Sequence, residues 1–177
     1  CRGPDRNIYF NSDNKKFKHN LGKYFHFEFN RLSILDLSED ADQPMYSESF
    51  DNMLMFNGEI YNHQELRKNL ESSGAVFKTS HSDTEVILKM YEEYGDDFLL
   101  RIEGIFALGI YDKRLGSGKE RLLLARDQFG VKPLLYCQLG SRFIFASEMK
   151  ALLASGLFYP KIDPIGLRLL LTYGSIY

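Results

Sequence analysis

The feature that most constrains the fold is a change of hydrophobic period along the chain, from strand-like to helical and back to strand-like segments. Residues 24–30 are rich in aromatic residues and alternate enough to be a strand, and residues 52–56 read as a second, buried strand. Between 63 and 95 the apolar residues instead recur at helical spacing. Because strands and helices do not alternate regularly, the pattern does not favour a doubly wound parallel fold. We predict an α+β layered sandwich of antiparallel sheets with helices packed outside.

Local signals define the predicted elements. Residues 63–73 are predicted as a helix, and Ser82 followed by Glu85 forms a capping-box pattern that opens a second helix ending at Gly95. The other predicted elements are a short helix over 96–100, hairpins of 104–111 with 121–125 and of 134–138 with 143–146, and a short helix over 149–153. Polar turns and loops are predicted for 1–22 and 40–49.

Composition excludes several classes of function. The net charge of −2 gives no electrostatic reason to bind nucleic acid or an anionic membrane. No apolar run approaches the roughly 20 residues that span a bilayer. Cys1 and Cys137 form no CxxC pair, and the histidines are scattered, so neither a disulfide framework nor a metal site is predicted. A reducing, cytoplasmic location fits this cysteine usage.

The segment from Phe56 to Asn62 carries the strongest chemical signal. Phe56 closes an apolar run, and Asn57, Gly58 and Glu59 follow it directly. Gly58 lets backbone N–H groups approach a ligand closely, and Asn57 adds a side-chain donor, so the pair can stabilise an oxyanion. Glu59 can hold an ammonium group. We therefore predict a site for an amide or acyl group where this strand ends.

Three further groups of residues matter, and the first two have two interpretations each. Arg31 can bind a carboxylate bidentately or form a surface ion pair. Asp83, at a predicted helix start, can bind a ligand or simply favour the helix dipole. Arg126 and Asp127 end a strand, and we interpret them as a structural turn with an internal ion pair.

A resemblance to a known family joins these pieces. Nine segments occur in the family's order between Arg2 and about Leu153. They are RGPD (2–5), RLSILD (31–36), QPM (43–45), NGEIYN (57–62), SDTEVI (82–87), GIFA (104–107), ARD (125–127), GVKPL (130–134) and ASEMKAL (146–152). The set resembles the glutaminase domain of glutamine-hydrolysing asparagine synthetase, a class II glutamine amidotransferase. The resemblance implies an N-terminal-nucleophile hydrolase fold, a four-layer αββα sandwich, over residues 1–153. Residues 154–177 would be a linker and the start of a synthetase domain.

The resemblance also implies a reaction and residue roles. A cysteine thiolate attacks the side-chain amide of glutamine, ammonia leaves, and water releases glutamate from the thioester. Arg31 would bind the α-carboxylate, Glu59 and Asp83 the α-ammonium, and Asn57 with Gly58 would form the oxyanion hole. The expected pocket lining is Leu32, Ser33, Ile34, Leu35, Asn57, Gly58 and Glu59.

Partners follow from the same resemblance. They are L-glutamine, a C-terminal synthetase domain that uses ATP and magnesium, and a second copy in a homodimer; no cofactor is expected in this domain. Two alternatives remain open from the sequence. One is a catalytically silent scaffold or glutamine-binding domain of the same fold, and the other is an amidotransferase that uses a carboxylate acceptor other than aspartate.

Cys1 has two interpretations of its own. The family places glycine and apolar residues after its nucleophile, whereas Arg2, Gly3 and Pro4 follow Cys1 and make a poor central strand. We therefore predict that the nucleophilic cysteine and first strand are missing and that the chain as given lacks glutaminase activity. The rival interpretation makes Cys1 catalytic after a deletion.

Overall fold

The computed structural model describes residues 6–11, 26–31, 42–49, 51–114, 116, 119–157 and 159–174, the first two segments as backbone only. The chain divides into two compact units, Cys1–Lys132 and Pro133–Tyr177. Within the described ranges, no helix is long and apolar enough to cross a membrane.

The first unit contains strands on both sides of a helical segment. Its strands are β1 (Arg6–Asn11), β2 (His26–Arg31), β3 (Met45–Tyr46), β4 (Asn52–Ile60), β5 (Gly104–Asp112) and β6 (Arg121–Arg126). Its helices are α1 (His63–Ser72), α2 (Asp83–Tyr94) and a 3₁₀ helix over Gly95–Leu100. The second unit contains β7 (Leu135–Leu139), β8 (Arg142–Ala146), α3 (Met149–Ala154) and α4 (Pro164–Tyr173). The predicted helices and hairpins are confirmed, with bounds that differ by a few residues at most.

All described strand pairs are antiparallel. β3, β4, β5 and β6 form a four-stranded sheet in that order, and β1 pairs with β2, as β7 does with β8. β1 and β3 contradict the predicted loops. β1 pairs along all of β2, which the polar Arg6, Asn7 and Asn11 had obscured in the sequence. β3 has only two residues, so its pairing with β4 gives no period to detect.

The main core lies between one face of the sheet and the helices. It is formed by apolar side chains from β4, β5, α1 and α2, including Leu54, Phe56, Ile60, Leu66, Leu70, Val86, Ile87, Met90, Leu108 and Ile110. Met53 and Met55 point to the opposite face of β4 and are buried as well. Both faces of β4 are therefore buried over residues 53–56, as a sandwich requires.

A buried polar network holds the C-terminal half of α2 to the sheet. The Tyr91 hydroxyl donates to Oδ2 of Asp112 at 2.6 Å, and Arg114 donates to the same carboxylate. Burial would raise the pKa of Asp112, but the bonds from Arg114 and Tyr91 outweigh it and hold that pKa below its ordinary value. Asp112 ends β5 beside Asn52, so this network lies at the opposite end of the sheet from Ile60.

Candidate active site

Asn57, Gly58 and Glu59 lie inside β4 and not after its end. The prediction that the strand stops at Phe56 was wrong, because β4 stays paired with β5 as far as Ile60 opposite Gly104. A Cβ at Gly58 would lie 2.1 Å from the Ile105 carbonyl oxygen, so the strands approach too closely there for any side chain. Gly58 is therefore needed for strand contact, which is a constraint additional to the ligand approach expected from the sequence.

The side chains of Asn57 and Glu59 are exposed on one face of the sheet. Alternation along the strand puts them on the face of Met53 and Met55, opposite the helices. The core on that face ends before Asn57, since Met55 is buried and Asn57 is not. An amide and a carboxylate therefore stand two residues apart on an accessible surface.

The Gly58 N–H points to the free edge of β4. The Tyr61 N–H donates to Glu103 at 2.7 Å, so odd-numbered N–H groups of β4 face β5 and even-numbered ones face the β3 side. β3 pairs only with Met53 and Leu54, and does not reach Gly58. No acceptor for the Gly58 N–H lies among the residues that the structure describes. Gly58 is half-buried, and Asn57, which directly precedes it, has an exposed side-chain amide; an oxyanion hole requires two donors of this kind.

The N–H groups on either side of Gly58 along this edge are bonded by side chains. Phe56 N–H donates to Oε1 of Gln43 at 2.6 Å, and Ile60 N–H donates to Oδ2 of Asp83 at 3.1 Å. Both acceptors are buried. Among the residues that the structure describes, the Gly58 N–H thus has no acceptor, whereas the N–H groups of Phe56 and Ile60 on this edge are bonded.

Asp83 is a buried carboxylate close to Glu59. Only 6% of Asp83 is exposed, and this burial raises the pKa of its carboxyl above the ordinary value. The Ile60 N–H and the charge of His63 oppose that rise, whereas the negative charge of Glu59 adds to it. A cation bound between Asp83 and Glu59 would relieve both the burial and the repulsion, so the pair suits an ammonium group.

The start of α2 positions Asp83. Ser82 is the N-cap, and its Oγ accepts from the Glu85 N–H at 3.4 Å, which confirms half of the predicted capping box. The Glu85 carboxylate does not complete that box; it accepts from Lys78 N–H at 2.8 Å and from the backbone and hydroxyl of Thr79. Glu85 therefore fixes the loop before α2, and Asp83 is left in the first turn to face β4.

The turn after β6 is structural, but the predicted internal ion pair was wrong. Asp127 accepts from the N–H groups of Phe106, Val131 and Lys132 at 2.8 to 3.3 Å. Arg126 donates to the Lys132 and Gly130 carbonyl oxygens. Burial would raise the pKa of Asp127, but the backbone donors outweigh it and hold that pKa below the ordinary value. The charged side chains of Arg126 and Asp127 thus form hydrogen bonds with backbone groups and not with each other.

Part of the predicted site lies outside the described residues. These positions are Cys1, Leu32, Ser33, Ile34 and Leu35, and the side chain of Arg31, whose backbone ends β2. The structure brings Asn57, Gly58, Glu59 and Asp83 together. Sequence reasoning missed the contact made by Gln43, for which the QPM motif was the available signal. Cys137 is half-buried in β7, and His81 is exposed in a loop.

Comparisons with known proteins identify the family of the chain. A glutamine amidotransferase domain family matches residues 1–176. Asparagine synthetase [glutamine-hydrolyzing] 2 of Bacillus subtilis (strain 168) is 47% identical over 126 residues, covering 71% of this chain and 16% of that protein. Asparagine synthetase B of Escherichia coli (strain K12) is 41% identical over 153 residues, covering 85% and 24%. The chain thus spans less than a quarter of the length of these two relatives.

A solved structure supports the fold. The glutamine phosphoribosylpyrophosphate amidotransferase from B. subtilis matches with a TM-score of 0.60 and 26% identity, over 73% of this chain and 29% of that one. The fold is accordingly α+β, of the N-terminal-nucleophile hydrolase type, as predicted. With the family match spanning nearly every residue, this chain belongs to the glutamine amidotransferase domain family.

Proposed function

We propose that this chain is the glutaminase part of a glutamine-dependent asparagine synthetase and that its site binds L-glutamine. The observation that carries the proposal is the open Gly58 N–H, which lies between two occupied N–H groups of β4 and beside the Asn57 amide. An amide carbonyl that becomes an oxyanion needs two such donors held in place before the reaction.

A free amino acid is a zwitterion, and each of its two charged groups needs a partner of opposite charge in the site. Its ammonium needs anionic partners, and Glu59 and Asp83 are close enough for the charge of one to raise the pKa of the other. Its carboxylate needs a cation, for which we propose Arg31 at the end of β2. Residues 32–35 and 57–59 would line the pocket between these groups.

The proposed reaction uses Asn57 and Gly58 as hydrogen-bond donors to the oxyanion. A cysteine thiolate adds to the side-chain amide carbon, and Asn57 and Gly58 stabilise the charge that develops on oxygen. The C–N bond then breaks as the nitrogen takes up the proton that the cysteine thiol released, ammonia leaves, and water cleaves the thioester to release glutamate. Aspartate is the proposed acceptor for the ammonia, and the names of the relatives support this choice.

We further propose that Cys1 is not the nucleophile, because Arg2, Gly3 and Pro4 are unsuited to the core strand that follows one. Incubation of the 177-residue chain with L-glutamine should then release no ammonia. Ammonia release that a Cys1→Ser substitution abolishes would contradict this proposal.

The proposed partner is an ATP-dependent synthetase domain in the cytoplasm. The length of the relatives supports it, and so do the exposed apolar side chains Ile165 and Leu171 on α4, which are 71% and 78% exposed. Leu171→Lys should weaken association of this chain with a separately added synthetase domain. Unchanged association would argue against α4 as the contact.

Calorimetry with L-glutamine tests the central proposal. We expect saturable binding that is lost in Arg31→Ala and retained in Arg142→Ala, a charge-matched control at the exposed start of β8. D-glutamine serves as the ligand control, since it carries the same charges in the wrong arrangement. If L-glutamine does not bind, or if both arginine variants bind it equally, the proposed site is wrong.

A further inference from the structure

The edge of β4 loses its strand partner just before the proposed oxyanion donors. β3 begins only at Met45, opposite Leu54, and the preceding residue, Pro44, has no N–H to donate to a neighbouring strand. Beyond Leu54, the N–H groups of Phe56, Gly58 and Ile60 therefore point to an edge that no strand covers among the described residues. β5 pairs with this segment along its other edge as far as Ile60, so on the β3 side any further positioning must come from contacts other than a described strand.

Beyond the start of β3, the side chain of Gln43 replaces a strand as the hydrogen-bond partner of β4. Its side chain is 8% exposed, and its Oε1 accepts from Phe56 N–H at 2.6 Å, in the place that a strand carbonyl would occupy. Its Nε2 donates to the Thr84 hydroxyl at 3.5 Å, and that hydroxyl donates to Oδ1 of Asp83 at 3.5 Å. The chain of contacts closes at Oδ2 of Asp83, which accepts from Ile60 N–H.

These contacts bracket the three residues of the site. Phe56 directly precedes Asn57, and Ile60 directly follows Glu59. The bond at Phe56 is short, whereas the two bonds through Thr84 are at the long limit for a hydrogen bond. The Phe56 contact should therefore carry most of the positioning.

We propose that Gln43 is a positioning residue that sets the place of the Asn57 and Gly58 donors by fixing the β4 backbone at Phe56. This inference rests on the proposed binding of L-glutamine. Gln43 touches no substrate; it acts through the backbone of β4 on donors that must meet the amide oxygen at hydrogen-bond distance. A merely structural role would instead lower stability without favouring one ligand over another.

A pair of ligands separates the two roles. L-norvaline has the α-amino and α-carboxylate groups of L-glutamine but no side-chain amide, so the ratio of the two affinities reports the contacts to the amide. In Gln43→Met we expect this ratio to fall about fivefold, the effect of about one hydrogen bond. The affinity for L-norvaline should stay within about twofold of the wild-type value.

Tyr91→Phe is the matched control, because it also removes a buried hydrogen bond but at the other end of the sheet. It should lower stability and leave the affinity ratio unchanged. If Gln43→Met weakens both ligands equally, or leaves their ratio unchanged, the positioning role is overturned.

Amide hydrogen exchange on the wild-type chain tests the inference without a variant that must fold. Phe56 and Ile60 N–H should exchange slowly and Gly58 N–H quickly, since only the first two have acceptors among the described residues. In Gln43→Met, exchange at Phe56 should be at least about tenfold faster while that at Leu54 is unchanged. Fast exchange at Phe56 in the wild type would overturn the inference.

The two experiments also separate this inference from the proposed function. If the wild-type chain binds neither ligand, the proposed function fails. Selective loss of Phe56 protection in Gln43→Met would still support the role of Gln43 in fixing β4, and unchanged protection would refute it.

Discussion

Asp83 is predicted to be a residue whose charge is needed for binding and is unfavourable for stability. The carboxylate is 6% exposed, and burial raises its pKa, so the folded protein holds a proton there more tightly than the unfolded chain does. The same side chain accepts from Ile60 N–H, and that contact needs an oxygen but no charge. Asp83→Asn and Asp83→Ala therefore separate the charge from the oxygen.

The expected magnitudes differ between the two variants. Asp83→Ala leaves the buried Ile60 N–H without its acceptor, and we expect the free energy of unfolding to fall by about 1–3 kcal/mol. Asp83→Asn keeps an oxygen in place, so its loss of a favourable helix-dipole interaction, about 0.3–1 kcal/mol, is offset by the removal of a buried charge. Its free energy of unfolding at pH 7 should stay within about 1 kcal/mol of the wild-type value.

Both variants should lose affinity for L-glutamine to a similar extent. Loss of a hydrogen bond to a charged group costs about 1.5–3 kcal/mol, or roughly ten- to hundredfold in the dissociation constant. Urea denaturation and calorimetry on the same samples measure the two quantities. If Asp83→Asn is as unstable as Asp83→Ala, or if it binds L-glutamine normally, the separation of charge from oxygen is wrong.

Because of Asp83, the stability of the wild-type protein and its affinity for the ammonium group should respond to pH in opposite directions. Because the Asp83 pKa is raised on folding above 3.8, the native state binds more protons than the unfolded state in the window just above that value. The contribution of Asp83 to the free energy of unfolding is therefore greatest at low pH and falls as pH rises through the folded pKa. Affinity for the ammonium should change in the opposite direction, since it needs the ionised carboxylate. Asp83→Asn should lose the part of each change that Asp83 contributes.

Three further outcomes are expected. Gly58→Ala should lower the free energy of unfolding by at least about 3 kcal/mol or prevent folding, because its Cβ would overlap the Ile105 carbonyl oxygen; urea denaturation measures this. Tyr91→Phe should cost about 0.5–3 kcal/mol in the same assay by removing the bond to Asp112, and no loss would show that the bond is not stabilising. Asp127→Ala should lower the melting temperature most above pH 4, since the lowered Asp127 pKa makes its contribution present above the unfolded pKa and lost as pH falls through the folded one; an equal loss at low pH would contradict this.

The elements predicted correctly from the sequence were those long enough for the hydrophobic pattern of a helix or strand to repeat. α1, α2 and both hairpins are repeated patterns whose residues signal the same structure several times over, whereas α4 was not predicted. β3 is two residues long and gives no such repetition. The extension of β4 through Gly58 depends on a close approach to β5, and that fit belongs to two strands more than forty residues apart.

The chemical identity of the site could be predicted more fully than its construction. Residue type and family order predict roles for Asn57, Glu59 and Asp83, and the structure brings these residues together while their roles stay predictions. The capping box was half right, because Glu85 found three donors in the preceding loop that the sequence does not place near it. The Arg126–Asp127 ion pair was wrong for a similar reason: the backbone of the turn offers each charge better-placed partners.

The short length of β3, which begins only opposite Leu54, explains both the structure of the β4 edge and its proposed chemistry. A longer β3 would cover the edge of β4 and bond the Gly58 N–H within the sheet, so no donor would remain for a substrate oxygen. A bare edge would leave Phe56 and Ile60 equally unbonded and the segment poorly fixed. Side chains of Gln43 and Asp83 occupy those two positions and leave the one between them open. A sheet edge completed by side chains can thus be rigid and still present one backbone donor, which is the combination that preorganised catalysis requires.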